Sequence, residues 1–418
     1  MNWNIKVNYC KGFKKSEHNG LVIVANIRNG MNLKMSKQCY DILDMCIVNA
    51  YILSDFFALF EDDEDREYFK QLFEVLLTYD IVISEDKFEV YMPVLELTNR
   101  CNLRCNHCCM DAVAVTECDE LSTDEWKKVI DKLAGLKIEL ITITGGEPMV
   151  REDFFEIAEY TKNKLNVPMQ LMSNATLINE NNADRLLQLF DDFSFSLDGA
   201  DEESCAAVRG RGVFQRALNG IQIMKNKGMK SFSLSFTKVK QNEKSEDEFI
   251  ALAKRLGATP MIRNFDVVGR AKKHLELLPT DIDEQFRPVL SDPGNPEGHY
   301  YPESMPLCVS CTAVDNKLCI AHDGSIFPCQ VLMFPEFKIG NVSDIDSIAE
   351  FWLEGKQYLT DGYKKFAEVH TAHSSYCKDC EVNLFCDSCV LYTYLMKNRD
   401  NFKELCKVKK EVLMAVWK

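Results

Sequence analysis

Hydrophobic and polar positions change their period along the chain, and the changes divide it into three regions. In the first, "HNGLVIVANIRNGMNLKMS" contains two short β-rich runs broken at "RNG", which predicts a hairpin. Helical patterns follow in "KQCYDILDMCIVNAY" and "REYFKQLFEVLLTYD", and "IVISED" is read as a wing or closing strand. We interpret the acidic stretch "EDDEDRE" as a solvated helix start with carboxylates in its first turn. A small domain over residues 1–90 is predicted.

The second region alternates strand and helix patterns about six times. Strand patterns such as "VLELT", "IELITIT" and "DFSFSLDG" each precede a helical segment. The first helix has Ser122 as its expected N-cap, with Glu125 placed to close a capping box. This alternation predicts an α/β fold with a parallel sheet, here a partial (β/α)6 barrel over residues 91–295. In such barrels the chemistry lies in the loops that follow the strands.

The third region, residues 296–418, is rich in cysteine and turns and has few long periodic segments. Many cysteines with little regular secondary structure are typical of a domain that a metal holds together.

Composition and charge narrow the function. With 418 residues, 46% of them hydrophobic, the chain can bury a sizeable core, as an enzyme does. The start "MNWNIKVNYCKGF" lacks the features of a signal peptide, and no apolar run is long enough to span a bilayer. We therefore expect a cytoplasmic protein with no membrane partner. The net charge of −15 argues against nucleic acid as a partner.

Eighteen cysteines in a reducing compartment are better explained as metal ligands than as disulfides. They form three groups, at residues 101–109, at 308–329, and at 377–389 with Cys406 behind. The scattered remainder are interpreted as small buried hydrophobic residues: Cys10, Cys39, Cys46, Cys118 and Cys205.

The first cysteine group has the spacing of an iron–sulfur ligand loop. Cys101, Cys105 and Cys108 are separated by three and then two residues, so one loop can bring three thiolates to one cluster. Three ligands leave a [4Fe–4S] cluster with one open iron, whereas a structural zinc site has four protein ligands. Cys109 could be a fourth ligand, but adjacent side chains in an extended loop point apart, and we favour the open iron.

This loop, with His107 before its last cysteine, and the motif "ITITGGEPMV" together resemble the radical S-adenosylmethionine (radical SAM) family. The resemblance implies that the open iron chelates the methionyl part of the cofactor. It also implies that the GGEP motif receives the cofactor's ammonium group, through Gly145, Gly146, Glu147 and Pro148. A tight turn with a solvated glutamate is the alternative for the second motif alone.

Further matches to this family follow along the sheet. "SNAT" places Asn174 at a strand end, and "SFSLDG" and "AAVRG" place Ser196, Asp198 and Arg209 where the family contacts the ribose and the methionyl carboxylate. An ordinary Asp-Gly turn and a surface arginine are the alternatives.

The last cysteines resemble the SPASM extension, which carries auxiliary [4Fe–4S] clusters. Cys311, Gly324 and Cys329 match its opening, and the spacing from Cys377 to Cys406 matches its close. The resemblance implies an outer cluster on Cys377, Cys380, Cys386 and Cys406, and an inner one on Cys311, Cys329 and Cys389. A zinc ribbon on two CxxC pairs is the alternative.

Two details of this match stay open. Cys386 and Cys389 are separated by two residues where the family has three. The inner cluster's fourth ligand is Cys308, Cys319 or none. An open iron would bind a substrate thiolate, whereas a fully ligated cluster would pass electrons.

The first region resembles the winged-helix-like, PqqD-like element that captures the leader of a ribosomally made precursor peptide as an added strand. With it, the chain resembles peptide maturases of the sactipeptide and ranthipeptide kind, which form a thioether between a cysteine sulfur and a carbon. A flavodoxin or ferredoxin would donate the electron. Alternatives are carbon–carbon or carbon–oxygen cross-linking, formylglycine formation in a sulfatase, or a non-catalytic metal-binding regulator. No general acid or base is assigned from the sequence.

Overall fold

A computed structural model describes residues 3–84, 90–114, 120–280, 308, 311–386, 389–397 and 402–418. The chain divides into two compact units. The first unit comprises Met1–Glu89, Phe286–Thr312 and Lys365–Lys418, and the barrel unit comprises Val90–Gln285 and Ala313–Lys364. The division into three domains at residues 90 and 295 stays a prediction.

The first unit begins with strands and helices in the order that the sequence predicts. Its elements are β1 (Val7–Tyr9), β2 (Phe13–His18), β3 (Leu21–Asn26), β4 (Asn32–Ser36), α1 (Lys37–Val48), α2 (Leu53–Phe57), α3 (Asp63–Thr78) and β5 (Val82–Ser84). Strands β2, β3 and β4 pair antiparallel in that order, and β1 pairs antiparallel with β5. The predicted hairpin is β3–β4 and is confirmed.

The acidic stretch forms the start of α3, as predicted. Asp62 is the N-cap, and its side chain accepts a hydrogen bond from the amide of Glu64. Three carboxylates occupy the first turn, where the positive end of the helix dipole stabilises them: Asp63, Glu64 and Asp65.

One hydrophobic cluster of the first unit joins distant parts of the chain. Ile23, Ala25 and Ile27, on and just after β3, pack with residues from the last segment: Val382, Leu384, Phe385, Leu413, Val416 and Trp417. The helices of that segment span Asp361–Val369, Val390–Lys397 and Phe402–Leu413. The other face of the same sheet, including Val22 and Val24, packs against α1, α2 and α3.

The barrel unit contains the predicted parallel sheet. Its strands are β6 (Met92–Glu96), β7 (Ile141–Thr144), β8 (Met169–Ser173), β9 (Asp192–Ser196), β10 (Phe232–Thr237) and β11 (Thr259–Arg263). Each pairs in parallel with the next in chain order. The α/β fold with a partial (β/α)6 barrel is therefore confirmed.

Helices connect these strands. They are α4 (Thr123–Leu133), α5 (Phe154–Leu165), α6 (Ala183–Leu189), α7 (Glu202–Arg209), α8 (Val213–Asn226) and α9 (Glu246–Leu256). Ser122 caps α4 and forms the predicted capping box with Glu125. On the free edge of β6, the strands β12 (Lys317–Ile320), β13 (Ser325–Phe327) and β14 (Gly340–Asn341) extend the sheet, and β12 runs parallel to β6. A helix over Ile348–Leu353 follows.

Within the part of the chain that the structure describes, we find no helix with the length and apolar character that a membrane span requires.

Candidate active site

The cysteine loop follows β6 directly, at the carboxyl end of the parallel strands. The amide of Cys101 donates to the carbonyl of Val113 at 3.0 Å, and the amide of Val113 donates to the carbonyl of Asn99 at 2.9 Å. These two bonds close the loop at its base. The amide of Cys108 donates to the carbonyl of Cys105 at 3.3 Å, which folds the loop between those two thiols.

Backbone and side-chain N–H groups point at the three sulfur atoms. The amide of Leu103 lies 3.3 Å from the Cys101 Sγ, and the amide of Ala112 lies 3.5 Å from the Cys108 Sγ. The Arg209 guanidinium lies 3.9 Å from the Cys105 Sγ. Hydrogen bonds to sulfur stabilise thiolates that bind iron, so this donor set fits an iron–sulfur cluster.

The thiols are close enough to affect one another's protonation. Burial raises the pKa of Cys101 to about 12, and the nearby charges of Glu147, Cys105 and Cys108 add to the shift. Burial also raises the pKa of Cys105, against the lowering effect of Arg209. Metal binding must therefore supply the free energy that deprotonates these thiols.

Gly145 and Gly146 bring the end of β7 directly against the cysteine loop. A Cβ atom on Gly145 would lie 2.4 Å from the carbonyl oxygen of Thr98, and one on Gly146 would lie 2.4 Å from that of Arg100. The amide of Gly146 donates to the Thr98 carbonyl at 2.7 Å, and the amide of Glu147 donates to the Arg100 carbonyl at 2.9 Å. Because both glycines lack a side chain, two backbone bonds join the two motifs.

Glu147 is fully buried and joins β7 to β8. Its carboxylate accepts hydrogen bonds from the Ser173 hydroxyl at 2.9 Å, the Asn174 amide at 2.8 Å and the Met149 amide at 3.3 Å. Burial raises its pKa to about 7, although these hydrogen bonds act in the opposite direction. Pro148 is buried and begins the short 3-10 helix Pro148–Val150. A role for these residues in binding the cofactor's ammonium stays a prediction.

Asn174 lies at the end of β8 and contacts the cysteine loop. Its side-chain amide donates to the Asn102 side chain at 2.9 Å and lies 3.9 Å from the Cys101 Sγ. Asn102 in turn donates to the hydroxyl of Thr176 at 2.9 Å. Ser196 ends β9 opposite Ser235 of β10 and is partly exposed.

Asp198 is fully buried just after β9 and faces the side chains of a histidine and an arginine. Its Oδ2 lies 2.9 Å from His107 Nε2 and 2.6 Å from Arg209 Nη2. Its Oδ1 accepts a hydrogen bond from the Thr237 amide at 2.6 Å. Burial alone would raise its pKa, but the charges of Arg209 and His107 hold the pKa well below its usual range. Asp198 therefore fixes a residue of the cysteine loop and the arginine beside it.

Two buried polar atoms beside this pair lack a hydrogen-bond partner among the described residues: Arg209 Nε and His107 Nδ1. Buried polar groups nearly always have a partner. A carboxylate or hydroxyl of a bound cofactor would supply one, so these atoms fit S-adenosylmethionine at this place.

Arg270 is a residue of the site that the sequence did not identify. It is 5% exposed, and its guanidinium donates to the carbonyl of Cys105 at 2.9 Å and to that of Ala112. Its own amide donates to the Cys108 carbonyl at 2.9 Å. Its Nε lies 3.1 Å from Asp111. Arg270 thus contacts the second half of the cysteine loop, from Cys105 to Ala112, yet in the sequence it is one arginine after a strand, without a periodic signal.

The C-terminal cysteines of the first unit lie around one cavity. Cys377, Cys386 and Cys406 line one small cavity together with Thr371, Tyr392, Thr393, Phe402 and Lys409. Burial raises the pKa of Cys377, which Cys406 and Cys380 raise further and which Lys397 lowers. The four cysteines predicted for the outer cluster are thus neighbours.

The other predicted ligands have different surroundings. Cys308 is 5% exposed and lies in the hydrophobic cluster with Val382, Leu384 and Phe385. Cys319 is fully buried on β12 against Ala321 and Phe327. Cys311 and Cys389 belong to the first unit and Cys329 to the barrel unit, and the inner cluster stays a prediction.

Three of the five remaining cysteines fit their interpretation as buried residues, and Cys10 does not. Cys39, Cys46 and Cys205 are buried, as expected, and Cys10 is partly exposed. Cys118 lies outside the described residues.

Comparison with known proteins agrees with this geometry. Residues 95–256 match the sequence model of the radical SAM superfamily, and residues 311–381 match the SPASM iron–sulfur cluster-binding domain. Mycofactocin maturase MftC of Mycobacterium tuberculosis is 31% identical over 270 residues, which cover 62% of this chain and 68% of that protein. The chain belongs to the radical SAM superfamily. S-adenosylmethionine and iron–sulfur clusters are the cofactors of this radical SAM enzyme.

Other relatives cover different parts of the chain. Mycofactocin maturase MftC of Mycolicibacterium smegmatis is 37% identical over 42% of this chain, and the match spans only 44% of that protein. The AdoMet-dependent heme synthase of Nitratidesulfovibrio vulgaris is 27% identical over 75% of this chain and 91% of its own length. The structure of Streptococcus suis SuiB bound to S-adenosylmethionine has the same fold, with a TM-score of 0.51 at 15% identity over 94% of this chain and 97% of SuiB.

Proposed function

We propose that this radical SAM enzyme modifies a ribosomally made precursor peptide and forms a thioether between a cysteine sulfur and a carbon of another residue. The radical chemistry in this proposal is supported by one observation. The loop that contains the three thiols is hydrogen-bonded to the turn Gly145–Glu147, which follows β7. The peptide part is supported by the mycofactocin maturases among the relatives, and by a SuiB structure with its precursor peptide SuiA that shares this fold.

The antiparallel sheet of the first unit offers a place for the leader peptide. Strands β2 and β4 each pair with β3, and among the described residues each has one edge without a neighbouring strand. Such edges bind extended peptides through backbone hydrogen bonds. Strand β2 carries two lysines and a glutamate in "FKKSEH", and charged side chains suit an edge that must stay soluble when empty.

Each cofactor has a set of residues of this chain to hold it. Cys101, Cys105 and Cys108 hold the cluster, and Asn174, Ser196, Asp198 and Arg209 line the space for S-adenosylmethionine, a role carried over from the family resemblance. Once bound, the two cofactors supply a 5′-deoxyadenosyl radical that removes a hydrogen atom from an unactivated carbon. A flavodoxin or ferredoxin is the proposed electron donor.

We favour a thioether as the product, and one experiment distinguishes it from a carbon–carbon link, a carbon–oxygen link and formylglycine. The reconstituted enzyme, reduced anaerobically, is incubated with S-adenosylmethionine and with a cysteine-containing peptide encoded beside its gene. A thioether predicts a peptide that has lost two hydrogen atoms per link and one alkylatable thiol per link. Loss of hydrogen with every thiol still alkylatable would instead identify a carbon–carbon or carbon–oxygen link. Conversion of a single residue to an aldehyde would identify formylglycine chemistry.

Leader capture has its own readout. Amide hydrogen exchange of the enzyme, with and without the peptide, should show added protection in β2 (Phe13–His18) or β4 (Asn32–Ser36). A peptide lacking its leader is the control. Protection elsewhere, with both strands unchanged, would contradict capture at this sheet.

A heme-pathway reaction is the second candidate, because the heme synthase of Nitratidesulfovibrio vulgaris is matched over 91% of its length. The same reduced enzyme, given an iron porphyrin in place of the peptide, would then produce heme. If the porphyrin's absorption spectrum does not change, and the same enzyme preparation modifies the peptide, this candidate is ruled out.

A further inference from the structure

A buried carboxylate at the end of β6 has no role in the site described above. Glu96 is fully buried, and neither of its carboxylate oxygens accepts a hydrogen bond from the described residues. A buried carboxylate without hydrogen bonds lowers the free energy of unfolding by roughly several kcal/mol, unless a charged partner offsets this cost. Because Glu96 is the last residue of β6, it lies at the carboxyl end of the parallel strands, where barrel enzymes carry out their chemistry.

The partner of Glu96 is a histidine from the neighbouring strand's end. His322 follows β12, which pairs in parallel with β6 so that Ile320 lies opposite Leu95. His322 Nδ1 lies 3.5 Å from Glu96 Oε1, and the side chain of His322 is 24% exposed. The histidine therefore connects the buried carboxylate with solvent at this end of the barrel.

Glu96 lies directly before the cysteine loop, because it ends β6 and the loop follows that strand. Val94, two residues earlier and so on the same face of β6, packs against the cluster of Cys319, Ala321 and Phe327.

Three carboxylates lie near His322 and raise its pKa. Glu96 of β6 makes the closest approach, Asp323 is the next residue in the chain, and Glu120 lies in the segment before α4. Burial would lower the pKa of His322, but these carboxylates together hold it above its ordinary value. Glu120 is itself paired with Arg100 and Arg151, whereas His322 is the ion-pair partner that the described residues give to Glu96.

We propose that His322 is the general base of the peptide reaction and that Glu96 is the positioning residue that orients it. Glu96 favours the tautomer with the proton on Nδ1, so that Nε2 presents a lone pair. The histidine would take the proton of the substrate cysteine: the S–H bond breaks, an N–H bond forms at Nε2, and the sulfur keeps the electron pair as a thiolate. The assignment rests on the proposed peptide function and supplies the base that the sequence did not reveal.

Exchange of the histidine C2 hydrogen with deuterium, followed residue by residue with mass spectrometry, tests the pairing in the reconstituted enzyme. The pKa of His322 should lie above the ordinary histidine value, and Glu96→Gln should lower it. The matched control is His274, which is similarly exposed and lies 2.8 Å from Glu276; Glu276→Gln should leave His322 unchanged. A His322 titration that is the same in Glu96→Gln and the wild type would overturn the positioning role.

The catalytic role is tested by the amount of modified peptide formed per 5′-deoxyadenosine. In the wild type this ratio should rise with pH to a plateau as His322 loses its proton. In Glu96→Gln the rise should move to lower pH, because the pKa of His322 falls. In His322→Asn and His322→Gln the ratio should fall by about a hundredfold, while His274→Asn keeps it.

The outcomes separate the two proposals. If the wild type makes 5′-deoxyadenosine but modifies neither the full precursor nor its leaderless form, the proposed function has failed, and this assignment fails with it. If the wild type modifies the peptide and both His322 variants keep the ratio and its pH dependence, only the assignment of the base is overturned.

Discussion

Asp198 is a buried carboxylate that contacts both Arg209 and His107. Replacing it with asparagine would leave Arg209 and His107 buried beside a neutral group. We expect Asp198→Asn to lower the free energy of unfolding by about 3–5 kcal/mol, because an unpaired buried charge remains. Denaturant unfolding of the apoprotein under anaerobic, reducing conditions measures this loss. Asp184→Asn, which removes an exposed partner of Lys227, is the control and should change little.

Equal stability of Asp198→Asn and the wild type would mean that Arg209 and His107 do not depend on this carboxylate. The variant should also bind S-adenosylmethionine more weakly, since Arg209 would lose its fixed position; isothermal titration of the reconstituted protein measures that affinity.

Glu147 makes the free energy of unfolding depend on pH. Its folded pKa of about 7 lies above the ordinary value of 4.5, so the folded state holds a proton that the unfolded state releases. Stability is therefore greatest below the ordinary value and falls by about 3 kcal/mol as the pH rises through the folded pKa. Glu147→Gln should lack this component, while Glu156→Gln, on the exposed surface, should keep it. Unfolding free energies at about pH 5 and about pH 8 make the comparison; parallel losses in the wild type and Glu147→Gln would contradict the buried, protonated carboxylate.

The sequence identified the site residues that belong to short motifs. It missed the contacts between residues that are far apart in the sequence. Cys101 and its two partners are identified by spacing alone, and Gly145 and Gly146 by a contiguous motif. Arg270 contacts the same loop from after the last barrel strand, and no local pattern marks it. Asp198 was predicted as a cofactor contact; its pairing with His107 depends on two loops meeting, which only the fold shows.

At the scale of elements, the turn at Gly145 and Gly146 packs closely against the cysteine loop. In Gly146→Ala the new Cβ meets the rigid carbonyl of Arg100, so the turn and the loop must separate. Overpacking of this kind costs about 1–3 kcal/mol, and here it displaces the cluster ligands. We expect fewer iron atoms retained per chain after anaerobic reconstitution and gel filtration.

The matched control for that change is Gly340→Ala, where the Cβ would meet the mobile end of the Ile345 side chain at 3.3 Å. If Gly146→Ala retains as much iron as Gly340→Ala, this close packing does not position the ligand loop.

Element prediction succeeded where the hydrophobic period was regular. The strands and long helices of the barrel, β3, β4, α1 and α3 all follow such patterns. Strand β2 was missed because "FKKSEH" is polar at nearly every position, and β3 supplies most of the buried surface of that sheet. The helices α2 and α7 are short, with five and eight residues, and a pattern of that length does not exceed chance.

At the scale of the whole molecule, the first unit has a core built from both ends of the sequence. Trp417 is 7% exposed among residues of β3 and the last segment, and its indole N–H donates to the Glu381 carbonyl at 3.0 Å. We expect Trp417→Ala to destabilise this unit by about 3–5 kcal/mol, and to weaken iron retention at Cys380, which directly precedes Glu381. Hydrogen exchange of β3 measures the first effect. Val412→Ala, at a position 48% exposed, is the control, and β3 protection that is equal in both variants would contradict a shared core.

The pattern of hydrophobic and polar residues divides the chain into consecutive regions. Such a pattern cannot show that segments hundreds of residues apart form one compact unit. The first unit is of this kind, since its three segments are separated by the barrel. The barrel's architecture was predictable because its contacts join neighbours in the sequence, strand by strand.

The central claim is that Cys101, Cys105 and Cys108 hold a cluster that cleaves S-adenosylmethionine, with auxiliary clusters behind it. The most direct test is anaerobic reconstitution with iron and sulfide, an iron count per chain, and an assay of 5′-deoxyadenosine after adding S-adenosylmethionine and reductant. The wild type should hold about twelve iron atoms and form the product, and the triple cysteine-to-alanine variant at these three positions should hold about four fewer and form none. Zinc in place of iron, or cleavage that survives in the triple variant, would contradict the account.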